Sequence, residues 1–168
     1  PDFGSVERAL KLAQLLGLAV LATPKRRANT RVELVGTDAF MGAVRERFGA
    51  DAPVSCDVRN LAGLHLFMRE DEVDSGSTAV TTARVLRSAG AESVSLVATH
   101  PVCSRGWKMR FFPVGEDQPF RKIWLGNTRP RGDGESAYEG STGGRIESVD
   151  VSPCVAGVLA QALSRLQE

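Results

Sequence analysis

Residues 66–78 are Leu-Phe-Met-Arg-Glu-Asp-Glu-Val-Asp-Ser-Gly-Ser-Thr, an apolar run followed by acids and then by a small polar turn. The apolar run predicts a buried strand, and the Ser-Gly-Ser turn predicts a loop that opens a helix near Thr78. Backbone N–H groups of the loop would point at one position in front of the helix, where the helix dipole favours an anion. The sequence therefore predicts a phosphate-binding loop formed by Ser75, Gly76, Ser77 and Thr78.

Two acids precede this loop. Glu70 and Asp71 are expected at the carboxyl end of the strand, close to the bound phosphate. Their four acceptor oxygens suit a pair of sugar hydroxyls or a hydrated Mg²⁺ ion. Sugar hydroxyls beside a phosphate indicate ribose 5-phosphate as the ligand. An ordinary strand-turn-helix with solvated acids is the alternative, and the spacing alone leaves it open.

The composition is that of an ordered globular chain. Its 168 residues, 42% of them hydrophobic and 24% charged, predict one domain with a substantial core. A net charge of +1 gives no general attraction to nucleic acid or acidic membranes. Three dispersed cysteines fit no disulfide framework, and no apolar stretch approaches the roughly 18 residues of a membrane helix. We therefore expect a cytoplasmic protein with no nucleic-acid or membrane partner.

Helical and strand patterns alternate along the chain, which predicts an α/β fold with a parallel sheet flanked by helices. In the closing helix, the apolar positions are expected to form a buried face of Val155, Val158, Leu159, Ala162, Leu163 and Leu166. The predicted helices are 5–17, 38–48, 78–89 and 152–166, and the predicted strands are 18–23, 32–35, 54–58, 93–98, 122–125 and 145–151.

Several stretches between these elements are candidates for function. Residues 24–31 carry four cations and predict either a solvated turn or an arm that closes over an anionic substrate. A nucleic-acid module built on that loop has poor support, because no aromatic residues are interleaved with the cations. His100 follows a strand end, where a ligand contact and a hydrogen-bonding role are both open. Residues 106–125 supply aromatic packing residues, and residues 126–145 predict a long loop.

The chain resembles the ribose-phosphate diphosphokinases, the synthases of phosphoribosyl diphosphate (PRPP), which contain the type I phosphoribosyltransferase fold. The 70–78 stretch resembles the ribose-phosphate signature of that fold, which implies that Asp74 through Thr78 grip the 5-phosphate and that Glu70 and Asp71 hold the ribose hydroxyls. Other motifs are found in the family's order. These motifs are Pro1-Asp2-Phe3-Gly4-Ser5-Val6, Arg8-Ala9-x-Lys11-Leu12-Ala13, Lys25-Arg26-Arg27, Gly90-Ala91-x-x-Ser93-Val94, Thr99-His100-Pro101-Val102-x-Ser104 and Val149-Asp150-Val151-Ser152-Pro153.

The resemblance implies a type I phosphoribosyltransferase-like three-layer sandwich over residues 1–168, corresponding to the C-terminal half of the family's subunit. It implies that ATP donates diphosphate to ribose 5-phosphate, with Mg²⁺ bridging the phosphates. Lys25 and Arg27 match the flexible-loop cations that close on the triphosphate, and Asp2 matches an acid near the metal. A missing N-terminal half and a homo-oligomer are implied as partners.

The chain departs from the family pattern at several places. The stretch between Lys25 and Glu70 is longer than usual, with an insertion near residues 36–53. Arg69 and Ser77 stand where the family has an apolar residue and often Gly. These departures leave two alternatives open, a non-catalytic synthase-like regulatory subunit and a phosphoribosyltransferase that acts on a base.

Overall fold

The computed structural model describes residues 3–23, 25–28, 31–34, 38–114, 117–129 and 143–165, without the side chains of 3–4, 25–28 and 31–34. Asp2, Leu166 and most of the predicted 126–145 loop therefore lie outside the described residues. The chain groups into two compact units, Pro1–Gly63 with Ser88–Gly90 and Leu64–Arg87 with Ala91–Glu168. The assignment of residues 1–168 to one domain remains a prediction.

The first unit contains short strands and two helices. Its two strand pairs are parallel β1 with β4 and antiparallel β2 with β3. The prediction of a cationic loop at 24–31 is corrected here, because residues 25–28 form a strand that pairs with residues 31–34. The predicted helix at 38–48 is confirmed as α2, and its assignment to an insertion stays a prediction. The elements are α1 (Phe3–Leu16), β1 (Val20–Leu21), β2 (Lys25–Ala28), β3 (Arg31–Leu34), α2 (Asp38–Phe48) and β4 (Val54–Ser55).

The second unit is built on a four-stranded parallel sheet in the order β5-β6-β7-β8. The predicted strand-helix-strand unit is confirmed, since β5 is followed by α3 and then by β6. The elements are β5 (His65–Val73), α3 (Ser77–Ser88), β6 (Ser93–Pro101), α4 (Trp107–Phe111), β7 (Ile123–Gly126), β8 (Ile146–Val149) and α5 (Ser152–Arg165).

The core of this unit lies where apolar strand residues meet helix and loop aromatics. Leu96, Ile123 and Leu125 on the central strands are fully buried, at 0% exposure. Burial of side chains of this size contributes about 1.5–3 kcal/mol each. Phe111 packs edge-on against Phe120 with ring centroids 5.3 Å apart, so the predicted packing role of these aromatics is confirmed.

The predicted burial of the closing helix is wrong. No residue of α5 is buried, and Val158 and Leu163 are 67% and 60% exposed. The periodicity correctly predicted an apolar stripe along α5. Such a stripe does not determine which element packs against it, and no element within the described ranges covers it. Neither α5 nor any other described helix is long and apolar enough to cross a membrane.

Candidate functional site

The four parallel strands of the second unit end at one edge of the sheet. Their last residues are Val73, Pro101, Gly126 and Val149, and each is followed by a polar segment. In open parallel sheets, ligands bind beyond the carboxyl ends of the strands. The segments that follow β5 and β6 form the best-defined part of this edge.

The predicted phosphate loop is a short turn between β5 and α3. Only Asp74, Ser75 and Gly76 separate the end of β5 from Ser77, the first residue of α3. The first helical bond runs from the N–H of Val80 to the carbonyl of Gly76, at 3.0 Å. Within the described part of the chain, no backbone acceptor receives the N–H groups of Thr78 and Ala79. These donors and the helix dipole make the turn suitable for an anion.

Hydroxyl groups border the same turn. The Ser75 and Ser77 Oγ atoms lie 3.2 Å apart, and the Ser77 N–H donates to the Ser75 Oγ at 3.4 Å. The side chains of Ser77 and Thr78 are exposed. Hydroxyls can donate to phosphate oxygens, so they extend the set of donors that the backbone provides.

Gly76 is required by both the backbone and the packing of this turn. Its φ of +74° lies in the left-handed region, which favours glycine. A Cβ at Gly76 would overlap the ring of Phe111, which is 1% exposed. The loop therefore lies directly against α4, and only glycine fits at this contact.

Three consecutive carbonyls of the loop are held by the segment after β6. The Cys103 N–H donates to the Val73 carbonyl at 2.9 Å, and the Ser104 N–H donates to the Asp74 carbonyl at 3.2 Å. The Arg110 Nη1 donates to the Ser75 carbonyl at 3.2 Å. Sequence reasoning missed this support, because Arg110 is 35 residues from Ser75 and no local pattern links them.

The two predicted acids lie within β5 rather than at its end. β5 continues to Val73, and Glu70 pairs in register with Ala98 of β6. Asp71 is exposed and accepts the N–H of Glu72 at 3.1 Å, whereas Glu70 is half-buried. The roles of Glu70 and Asp71 in holding sugar hydroxyls or a hydrated metal ion stay predictions.

His100 takes part in a hydrogen-bond chain at the next strand end. The Thr128 hydroxyl donates to the Thr99 carbonyl at 2.8 Å and lies 2.8 Å from the His100 Nδ1. Because that hydroxyl gives its single proton to the Thr99 carbonyl, the His100 Nδ1 must carry a proton and donate to the Thr128 hydroxyl oxygen. This contact gives His100 a hydrogen-bonding role, which is one of the two roles that the sequence left open.

Asp150 anchors the start of α5 to the end of β7. Its Oδ1 accepts from the Ser152 N–H at 2.9 Å and from the Asn127 Nδ2 at 2.8 Å. The Asn127 Oδ1 in turn accepts the Val151 N–H at 2.9 Å. The hydrogen bonds from Ser152, and then that from Asn127, hold the pKa of Asp150 below its usual value. Asp150 thus caps the helix as a carboxylate.

The remaining predicted site residues are not among the described residues of the second unit. Lys25 and Arg27 lie on β2 of the first unit, with only their backbone described, and Asp2 lies outside the description. Within the described ranges, no group of three or more His, Cys, Asp or Glu side chains could hold a metal ion. A magnesium ion at this edge would depend mainly on ligand oxygens, with one or two carboxylates from the protein.

The parallel sheet with helices between its strands, and with a short polar turn after β5, defines an α/β domain. This predicted fold class is confirmed by a crystal structure of phosphoribosylpyrophosphate synthetase from Mycobacterium smegmatis. The two chains superpose with a TM-score of 0.51 at 18% identity, over 74% of this chain and 42% of that one. A likeness at this identity establishes the fold.

Sequence comparison points to the same kind of protein. The chain is 24% identical over 157 residues to the ribose-phosphate pyrophosphokinase of Ureaplasma parvum, covering 93% of this chain and 39% of that one. It is 27% identical over 166 residues to the enzyme of that name from Ralstonia nicotianae, covering 99% and 42%. The corresponding protein of Pyrococcus furiosus is 31% identical over 107 residues, covering 63% and 31%.

These comparisons confirm the predicted resemblance. The chain is similar to ribose-phosphate pyrophosphokinases, the same enzymes as the diphosphokinases named above. It spans about two fifths or less of the length of these relatives, a share that fits the expected C-terminal half. No protein-family model matches the chain.

Proposed function

We propose that this chain is the sugar-phosphate-binding half of a ribose-phosphate diphosphokinase, which transfers diphosphate from ATP to ribose 5-phosphate and forms PRPP. One observation carries the proposal. The 74–78 turn presents open N–H groups at the start of α3, in a chain similar to pyrophosphokinases of that substrate. The N-terminal half, a homo-oligomeric assembly and a cytoplasmic location belong to the same proposal.

The turn would bind the 5-phosphate of the sugar. N–H groups and hydroxyls of Ser75, Gly76, Ser77 and Thr78 supply donors, and the helix dipole adds a favourable potential. Asp71, exposed in β5 shortly before the turn, is suited to accept a ribose hydroxyl. Glu70, half-buried in the same strand, is assigned to a second ribose hydroxyl.

The reaction would join the ribose 1-hydroxyl oxygen to the β-phosphorus of ATP. The bond between the β-phosphorus and the oxygen that bridges it to the α-phosphate breaks, AMP leaves, and the hydroxyl proton is released. Little covalent chemistry is required of side chains, so positioning and charge stabilisation dominate. We assign Lys25 and Arg27 to the stabilisation of charge on the triphosphate.

Magnesium is part of this proposal as the family's metal. Asp71, an exposed carboxylate shortly before the turn, fits an ion that is bound largely by substrate phosphates and by one or two protein carboxylates. Asp71 would contribute one carboxylate, and Asp2 is assigned a second on the basis of its motif. When bound, Mg²⁺ would neutralise phosphate charge and hold the donor phosphates in a fixed geometry.

The decisive assay is AMP release from ATP and ribose 5-phosphate by the full-length protein. We expect release that depends on both substrates and falls at least tenfold in Lys25→Ala. Lys11→Ala is the matched control, because Lys11 forms only an exposed ion pair with Glu7 at 2.9 Å. An unchanged rate in Lys25→Ala would contradict the role of that lysine. Sugar-phosphate binding without AMP release would instead indicate the non-catalytic regulatory subunit.

A further inference from the structure

Arg110 is the side-chain donor among the three groups that hold the phosphate turn. We propose that Arg110 is a positioning residue for sugar-phosphate binding: its guanidinium fixes the Ser75 carbonyl, so that the adjoining Gly76 N–H faces the anion. This inference rests on the proposed function of the turn and specifies how its shape is maintained.

The geometry of a peptide group supports this role of Arg110. In a trans peptide the C=O of one residue and the N–H of the next point in opposite directions. The carbonyls of Val73, Asp74 and Ser75 are all engaged by the 103–110 segment. In each of these three peptide groups, the N–H belongs to the following residue, which is Asp74, Ser75 or Gly76. Each of these N–H groups must therefore point away from the 103–110 segment. This arrangement leaves the N–H groups of Asp74, Ser75 and Gly76 available to a ligand.

The peptide group between Ser75 and Gly76 is the one most in need of such a restraint. Gly76 adopts a φ of +74°, and glycine reaches alternative backbone conformations with little steric cost. Rotation of that peptide would turn the Ser75 carbonyl toward the ligand, where its negative end would repel a phosphate. Arg110 opposes this rotation through its 3.2 Å hydrogen bond to the carbonyl.

Arginine suits this position for a second reason. Its guanidinium carries five N–H donors and a permanent charge, so it can hold the carbonyl and also favour a nearby anion. The attraction of the arginine charge for an anion and its effect on the orientation of the peptide group can be separated by varying the salt concentration. Charge attraction between exposed groups weakens strongly at high salt, whereas the orientation of a peptide group does not.

The test compares Arg110→Ala, Arg110→Lys and the control Arg105→Ala. Arg105 is exposed on the same segment, and none of the described contacts to the turn involves it. Two quantities are measured in the full chain: the ¹⁵N order parameter of the Gly76 amide and the Kd for ribose 5-phosphate at low and high salt. We expect Arg110→Ala to lower the order parameter toward values of flexible loops and to raise the Kd about fivefold or more at both salt concentrations.

Arg110→Lys should restore part of both properties, and Arg105→Ala should match the parent. A parent-like order parameter in Arg110→Ala overturns the inference, whether or not the sugar phosphate binds. A loss of affinity that disappears at high salt also overturns it in favour of simple charge attraction. If the parent protein binds no ribose 5-phosphate, the proposed function fails, while the Gly76 order parameter still tests Arg110. If Arg110→Ala does not fold, the same two quantities measured for Arg110→Lys and for the parent protein test the inference instead.

Discussion

Gly76→Ala is expected to destabilise the second unit and to distort the phosphate turn. Alanine at a φ of +74° costs about 1–2 kcal/mol, and the new Cβ meets the ring of buried Phe111. Overpacking of a well-filled site adds about 1–3 kcal/mol. We therefore expect a loss of about 2–5 kcal/mol in the free energy of unfolding, measured by urea denaturation followed by circular dichroism. Ribose 5-phosphate affinity should fall at least tenfold.

Gly144→Ala is the matched control for this substitution. Gly144 has the same φ of +74° in the same unit, but a Cβ there would meet nothing within 4 Å. The backbone cost alone predicts a loss of about 1–2 kcal/mol. The cost of Gly76→Ala should also shrink when Phe111 is replaced by Ala, because the two positions are coupled through one contact. Equal losses for Gly76→Ala and Gly144→Ala would refute the packing argument.

Three further substitutions test the structure elsewhere in the second unit. Because its hydrogen bonds depress the pKa of Asp150, its contribution to stability is present above the unfolded-state value of about 4 and is lost as pH falls through the folded-state pKa. Asp150→Asn should therefore reduce the difference between urea midpoints measured at pH 7 and pH 3. Leu159→Lys on exposed α5 should change the free energy of unfolding by less than about 0.5 kcal/mol, against about 2–5 kcal/mol for buried Leu96→Ala. Gly126→Ala should lower the thermal midpoint, because its Cβ would lie 2.6 Å from the Thr99 carbonyl oxygen.

The turn at residues 74–78 could be predicted from sequence because its determinants are local. The apolar run, Gly76 and the small polar residues occupy one continuous stretch, and β5 and α3 form where their patterns indicate. The binding of a phosphate by this turn stays a prediction.

The support beneath the turn could not be predicted in the same way. Arg110 and Phe111 reach the turn through the crossover from β5 to β6 and the segment beyond, and no sequence period connects them to Ser75 and Gly76. The expected burial of α5 failed for a related reason. A hydrophobic stripe indicates that a helix face favours burial. Which element covers that face depends on the arrangement of the rest of the fold.

Titration of the chain with ribose 5-phosphate is the decisive test of the sugar-phosphate site. We predict saturable binding, measured by isothermal titration calorimetry, that is abolished when Asp74 and Thr78 are both changed to Ala. Arg105→Ala serves as the surface control and should bind as the parent does. Retained binding in the double variant, or no binding by the parent chain, would contradict the assignment of residues 74–78 as the sugar-phosphate site.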